Sequence, residues 1–184
     1  MQVVAELEPL PVAQARAGEA AAWDALFRRY QRPLYVYAYE LVQDEQAGLD
    51  VVQETFIAAV RHIGSLQADA KFGSWLFGIA HQKCIQRWRK QSREKSAFEE
   101  VAAETPAECG DDPSSLLIRA EQEGEFMNLL NTLPPAQRSV LLLHFIEGFS
   151  IEEIASITGA QPGTVKSRIH YAKKALRDLI GTQP

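Results

Sequence analysis

Between Ser150 and Leu179 the chain turns a corner that few arrangements of helices can make. Ser150 and Glu153 stand at the spacing of a capping box, in which a hydroxyl and a carboxylate satisfy the free N–H groups at a helix start. Gly159 is a residue able to leave that helix through left-handed backbone, and Pro162 suits the first turn of the next one, where a missing N–H costs nothing. Ala155 is small where a second helix has to cross closely. On that second helix Val165, Ile169, Ala172, Leu176 and Leu179 fall on one stripe, leaving Lys166, Ser167, His170, Tyr171, Lys174 and Arg177 directed outward. The spacing predicts a helix-turn-helix over residues 151–170 with a polar, basic outer face. Such a helix can enter a major groove, its first residues at base edges and its Lys and Arg on phosphates. Thr164, Lys166, Ser167 and Arg168 are the candidates for that contact, with Gly163, Tyr171 and Lys174 beside them. A merely solvated amphipathic helix accounts for the cations, but not for Ala, Gly and Val coinciding at these offsets.

Helical periodicity also dominates residues 19–93, and no run of alternating Val, Ile and Thr bounded by turn residues occurs anywhere. The fold class expected is all-α. Residues 95–115 mix Glu, Ala, Pro, Gly, Asp and Ser with few large apolar groups, the composition of a solvated, flexible acidic linker. Beyond it, Ser114 or Ser115 would cap a helix reaching Asn131, Pro134 would open another through Ile146, and Gly148 would close that one. The expected organisation is a tail over 1–18, a helical domain over 19–94, the linker over 95–115 and a second helical domain over 116–184. With 184 residues, 46% of them hydrophobic, two small cores are affordable. No stretch of about 18 uncharged apolar residues exists, and residues 1–11 carry acids where a secretory signal carries Lys or Arg. A cytoplasmic protein without membrane insertion is expected.

A formal charge of −5 and a pI near 5.4 oppose nucleic-acid binding at first sight. The average conceals a pattern. Residues 81–95 hold Lys83, Arg87, Arg89, Lys90, Arg93 and Lys95 against Glu94 alone, the next thirty or so are acidic, and residues 164–178 bring Lys166, Arg168, Lys173, Lys174 and Arg177. Positive charge is thus gathered in two places able to face phosphate.

The helix over 50–63 separates into two faces when wound at 100° per residue. Val52, Phe56, Ala59 and Ile63 turn inward, while Asp50, Gln53, Glu54, Ile57 and Arg61 share the other side. An acidic surface with an isoleucine in its middle suits the docking of a basic helix as well as it suits plain solvent. From Phe72 to Lys90 the pattern passes from nearly all-round apolar, with Phe72, Trp75, Leu76, Phe77 and Ile79, to basic, with Lys83, Arg87 and Lys90 around Trp88. Aromatic and cationic groups on one helix fit single-stranded nucleic acid, whose unstacked bases need flat partners and whose backbone needs cations. Phe72, Trp75 and Ile79 read more simply as core. The cations and the preceding loop over 65–71 keep the functional reading.

His62, His81, His144 and His170 have no ligand spacing, and Cys84 and Cys109 read as free thiols. No nucleophile elbow, phosphate-binding glycine loop or dinucleotide fingerprint is present. No catalytic residue, metal or cofactor is expected.

Four stretches together carry a resemblance: D-V-V-Q-E-T-F from Asp50 to Phe56, F-G-S-W-L-F-G-I-A from Phe72 to Ala80, L-P-P-A-Q-R-S-V-L-L-L from Leu133 to Leu143, and G-T-V-K-S-R from Gly163 to Arg168. They resemble the extracytoplasmic-function sigma family in identity and order, across nearly the whole chain from about Glu19 to Ile180. The resemblance implies a subunit that lends promoter recognition to core RNA polymerase and catalyses nothing itself. It assigns Asp50, Gln53, Glu54 and Ile57 to the β′ clamp helices, with a further polymerase contact at the β flap. It assigns the loop over 65–72 and the following helix to a melted −10 element, with Lys71, Phe72, Lys83, Arg87, Trp88 and Lys90 on the DNA. Gly163, Thr164, Lys166, Ser167, Arg168, Tyr171 and Lys174 would read a duplex −35 element, the acidic linker would run toward the RNA exit path, and an anti-sigma partner would hold activity in check. The chain departs from the family where Gln82 and Gln86 replace the usual Asn and Asp and where Leu49 replaces an acid. Gly78, inside a helix at a cost of about 1 kcal/mol relative to alanine, has no account in the sequence. A stand-alone helix-turn-helix regulator is the rival reading; it would footprint a two-fold symmetric operator without polymerase.

Overall fold

In the computed structural model, residues 10–95 and 129–181 are described. All but Lys95 of the expected linker, together with Cys109, Ser114 and Ser115, lies outside the described residues, as does the side chain of Leu179. Among the described residues every regular element is helical: α1 (Val12–Arg16), α2 (Ala20–Val42), α3 (Glu45–His62), α4 (Phe72–Lys95), α5 (Pro135–Leu141), α6 (Ile151–Thr158) and α7 (Pro162–Gly181), with short 3₁₀ turns at Ile63–Ser65 and Asp69–Lys71. None of these helices is long and apolar enough to cross a membrane.

Local chemistry sets the boundaries. α2 ends where Gln43 takes a left-handed φ of 55° and returns its side-chain amide to the Glu40 carbonyl at 2.9 Å. Asp44 then caps α3 by accepting the Ala47 N–H at 2.7 Å. α5 opens after Pro134, and its last turn widens over Leu142–Ile146, where the Glu147 N–H reaches the Leu142 carbonyl five residues back at 3.1 Å. The Ser150–Glu153 capping box is formed in both directions, Gly159 leaves α6 at φ 68°, and Pro162 opens α7, as the sequence predicts.

Leu26, Leu34, Tyr37 and Ala38 of α2, Val51, Phe56 and Ala59 of α3, and Phe72, Leu76, Phe77 and Ala80 of α4 build one core. Leu133, Val140, Leu143, Ile154, Ile157, Val165, Ile169, Ala172 and Leu176 build the other. One correction to the expected organisation follows. The tail expected over 1–18 is structured from Leu10: Val12 and Ala15 are buried, and the Trp23 indole N–H donates to the Ala15 carbonyl at 3.0 Å. The two helical units pack against one another, so that their buried residues form one continuous cluster. Phe77 of α4 meets Phe149 edge-on, ring centroids 5.2 Å apart.

A buried guanidinium bolts this junction. Arg138 of α5 donates to the Glu40 carbonyl in the last turn of α2 at 2.7 Å, and to the Asn131 and Leu133 carbonyls at 2.9 and 3.0 Å. The cation thereby satisfies carbonyls that helix ends leave free. Nearby the Gln43 amide donates to Asn131 Oδ1 at 2.8 Å. Arg138→Met keeps the aliphatic volume but strands three carbonyls, and should cost at least about 3 kcal/mol, read as a lower urea midpoint at unchanged slope.

His81 of α4 is buried, with Nδ1 2.7 Å from the Tyr37 hydroxyl. Burial, and secondarily the charge of Arg168, lowers its pKa from 6.5 to about 4. An unfolded histidine protonates near 6.5, so His81 leaves stability unchanged above that pH and withdraws up to roughly 3 kcal/mol as pH falls from about 6.5 to 4. Glu40 and Glu147, both raised by burial, act with the opposite sign. Unfolding free energies of the wild type and His81→Gln should therefore be compared across that window. The wild type is expected to lose ground to the variant as pH falls.

Candidate nucleic-acid interface

The 3.6-residue period of α4 puts Lys83, Arg87 and Lys90 on one stripe and Phe77, His81, Cys84 and Trp88 on another. Lys90 and Trp88 are exposed. Lys83 and Arg87 are not simply outward: Glu54 of α3 takes Lys83 Nζ at 3.2 Å and Arg87 Nη2 at 2.5 Å, and Asp50 lies 3.7 Å from Arg87 Nη1. Residues that the resemblance assigns to different partners, two acids for polymerase and two cations for DNA, thus form one cluster across α3 and α4. The amphipathic split of α3 holds, with Val52, Phe56, Ala59 and Ile63 buried and Gln53, Ile57 and Arg61 exposed. Cys84 is a free thiol within the core, pushed up to about 12 by burial.

The loop before α4 is braced from an unexpected quarter. Arg16 of α1 donates to the Leu66 carbonyl at 3.2 Å and to Asp69 Oδ1 at 2.8 Å. Lys71 is exposed at the loop's end. Phe72 requires a correction, because its ring is fully buried against Tyr30 and Trp75 and offers nucleic acid no face.

On α7, Val165, Ile169, Ala172 and Leu176 are buried, and Gly163, Thr164, Lys166, Lys174 and Arg177 are exposed. Arg168, His170 and Tyr171 are half-buried. Ser167 is a second correction: it is 3% exposed, and its hydroxyl donates to the Gly163 carbonyl at 3.1 Å. Lys173, counted in the basic segment able to face phosphate, is buried with Nζ 5.2 Å above the Phe145 ring.

Sequence reasoning missed a groove of about 520 Å³ between α2 and α3, lined among others by Phe27, Tyr35, Leu49, Val52, Phe56 and Ile57. Phe27, Leu49 and Ile57 remain exposed along it. Leu49, the departure from an acid, is one of its apolar walls. Its signal was Phe27, whose partner Phe56 at 4.9 Å comes from another helix and so cannot be seen in either helix alone.

Two family patterns match, one described as sigma-70 region 2 over residues 26–94 and one as sigma-70 region 4 over residues 123–176. The RNA polymerase sigma-H factor of Pseudomonas aeruginosa is 30% identical over 90% of this chain and 89% of its own length. The chain belongs to the extracytoplasmic-function sigma factors. ECF sigma factor SigE of Mycolicibacterium smegmatis is 33% identical over 89% of the chain, which spans 64% of that longer relative. Among solved structures, the sigma factor RpoE of Bartonella quintana, in complex with the anti-sigma factor NepR, superposes with a TM-score of 0.65 at 27% identity, covering 88% of this chain and 98% of that one. The region 2 match takes in the α3–α4 cluster and the groove of this sigma factor; the region 4 match takes in its helix-turn-helix.

Because the Glu54 ion pairs are partly exposed, they add little to the stability of this sigma factor. Glu54→Ala should shift its unfolding free energy by less than about 1 kcal/mol, measured by urea denaturation, while leaving Lys83 and Arg87 without their shared counter-ion.

Proposed function

We propose that this chain is a sigma factor that binds core RNA polymerase in the cytoplasm and directs initiation at promoters with −10 and −35 elements, catalysing no reaction of its own. The observation that carries the reading is the occurrence, on one chain and in promoter order, of a cationic, aromatic helix matching region 2 and a helix-turn-helix matching region 4. Each has exposed Lys or Arg beside groups suited to bases. The functional division follows the sequence: polymerase binding and promoter melting over 19–94, with residues 10–18 as a structural brace, an acidic linker over 95–115 and −35 reading over 116–184.

In this reading the clamp helices of β′ lie against Asp50, Gln53, Glu54 and Ile57, with the neighbouring α2–α3 groove receiving apolar side chains. The second unit contacts the β flap. An anti-sigma partner would compete for the same apolar groove, since an exposed patch of this kind needs a cover when polymerase is absent. Lys71, Trp88 and Lys90 are free to meet melted −10 DNA. Lys83 and Arg87 reach phosphate by exchanging Glu54 for it, and Phe72 acts from within by fixing the start of α4. Extruding a base costs a few kcal/mol, which a rigid pocket offsets better than a mobile one; Arg16, tied to Leu66 and Asp69, supplies rigidity to that loop. On α7, Gly163, Thr164, Lys166, Arg168, Tyr171 and Lys174 face the −35 duplex, while Ser167 holds the helix start.

The deciding experiment is in vitro transcription with sigma-free core polymerase on a genomic promoter library. Defined start sites that require this chain are expected, and their absence overturns the reading. Lys166→Ala should weaken promoter binding about equally across sequences and lower the salt slope by about one, measured by titration of the holoenzyme at several salt concentrations. Arg16→Ala should slow strand opening, followed by a fluorescent base analogue in the −10 element, with −35 duplex affinity unchanged and partial rescue by Arg16→Lys.

A further inference from the structure

We infer that α4 chooses bases with a face other than its cationic stripe: Gln82 and Gln86, the two positions where the chain departs from its family, select adenine at two neighbouring positions of a melted −10 strand. The inference rests on the sigma reading for the source of that strand, and deepens it by naming the base chosen and the side chains that choose it.

At 3.6 residues per turn, Trp75, Ile79, Gln82, Gln86 and Arg89 fall within roughly 80° of arc on α4. Neighbouring helices close both flanks of this ribbon. Toward α3, Glu54 holds Lys83 and Arg87; toward α6, Gly78 faces the Ile157 backbone. Between them Gln82, Gln86 and Arg89 are exposed, and Trp75 and Ile79 are half-buried. Among the described residues neither glutamine amide is hydrogen-bonded to the protein. Unlike Lys83 and Arg87, the two amides can meet a ligand without first giving up a partner. The stripe the sequence marks by its charge is thus partly occupied, and the stripe left open is marked by neutral amides.

Solvation alone is served as well by Lys or Glu, which form helices as readily as Gln. What an amide adds is a donor and an acceptor in one plane. That pair matches adenine, whose N6 amino group donates beside the accepting N7; on the same edge guanine presents two acceptors, thymine an acceptor and a methyl group, and cytosine a donor alone. One helical turn sets the two amides about 6 Å apart along the axis, whereas stacked bases lie about 3.4 Å apart. Neighbouring bases can therefore face both amides only when unstacked, as melting allows. Trp75 and Ile79 offer apolar surface to an unstacked base at one end of the ribbon, and Arg89 a cation to phosphate at the other.

The test is transcription by the holoenzyme from promoters whose −10 segment is randomised, comparing the wild type with Gln82→Met, Gln86→Met and Gln86→Glu. Methionine keeps the length and helix propensity of glutamine at an exposed site and removes only the amide. The wild type should favour adenine at two neighbouring positions. Each methionine variant should lose that preference at one of them by at least about fivefold, the factor carried by one bidentate base contact, and keep it at the other. Gln86→Glu offers acceptors alone and should turn its position toward cytosine, whose amino group donates. Arg89→Gln should lower initiation about equally across the library, with a smaller salt slope. The inference is overturned if both methionine variants keep the wild-type base profile, if they lose initiation evenly across the library, or if Gln86→Glu leaves its position unchanged. Should the wild type initiate nowhere, the sigma reading falls, and fluorescence anisotropy of the full chain with adenine- and cytosine-containing single strands decides the ribbon. A preference for adenine weakened in both methionine variants upholds it; no such preference, or one that both variants keep, overturns it.

Discussion

Burial of α4 on more than one side is the interaction from which the rest of the arrangement descends. A helix whose apolar residues run nearly all round cannot rest on a single neighbour, because some of that surface would stay in water. The first turns of α4, with Phe72, Trp75, Leu76, Phe77 and Ile79, are of this kind. Phe72 sits by Tyr30 of α2, while Phe77 is shared between Tyr37 of α2 and Phe149 before α6. Only where Lys83, Arg87 and Lys90 begin does α4 acquire a face for solvent. The helix is thus a wall between two cores in its first half and a charged arm in its second, and the arm's direction is set by how the wall is clamped.

Charge follows the same plan. A net charge of −5 does not prevent phosphate binding when cations are concentrated, yet concentration alone overstates what is exposed. Glu54 neutralises Lys83 and Arg87, and Lys173 is turned over the Phe145 ring. Among the described residues, the exposed cations of the two segments are Lys71, Arg89 and Lys90 on one side and Lys166, Lys174 and Arg177 on the other. In the reading proposed above, polymerase and DNA address the two halves of one ionic cluster. Engagement of Asp50 and Glu54 by a basic helix would release Lys83 and Arg87 to phosphate, so the two bindings should favour one another.

Local pattern was enough for the helices, the helix-turn-helix with its capping box and left-handed Gly159, and the amphipathic split of α3, since each depends on residues within one or two turns. What escaped depends on pairing between elements. Phe27 and Leu49 form a groove only because α2 and α3 lie side by side. Arg138 sits inside the quoted L-P-P-A-Q-R stretch, yet nothing in its own helix says that its guanidinium will bond Glu40 nearly a hundred residues earlier. Gly78 has no account in its own helix, and the neighbour that faces it, the Ile157 backbone, lies across the junction, where a Cβ would meet it at an ordinary 3.9 Å. Phe72 was given a contact with DNA by resemblance, although the all-round apolar pattern had already argued for it as core; Ser167 was directed outward by the helical period, and its polar side chain gives no sequence signal for burial.

The junction between the cores is also imperfectly satisfied. Among the described residues, Arg138 Nε and Glu40 Oε2 are buried without a hydrogen-bond partner, and burial pushes the Glu40 carboxyl pKa upward. Each such atom costs about 1–3 kcal/mol that water would return on exposure. Apolar contacts at Phe77, Phe149 and Gly78 pull the units together while these stranded groups pull them apart, so the net preference is smaller than the buried surface suggests.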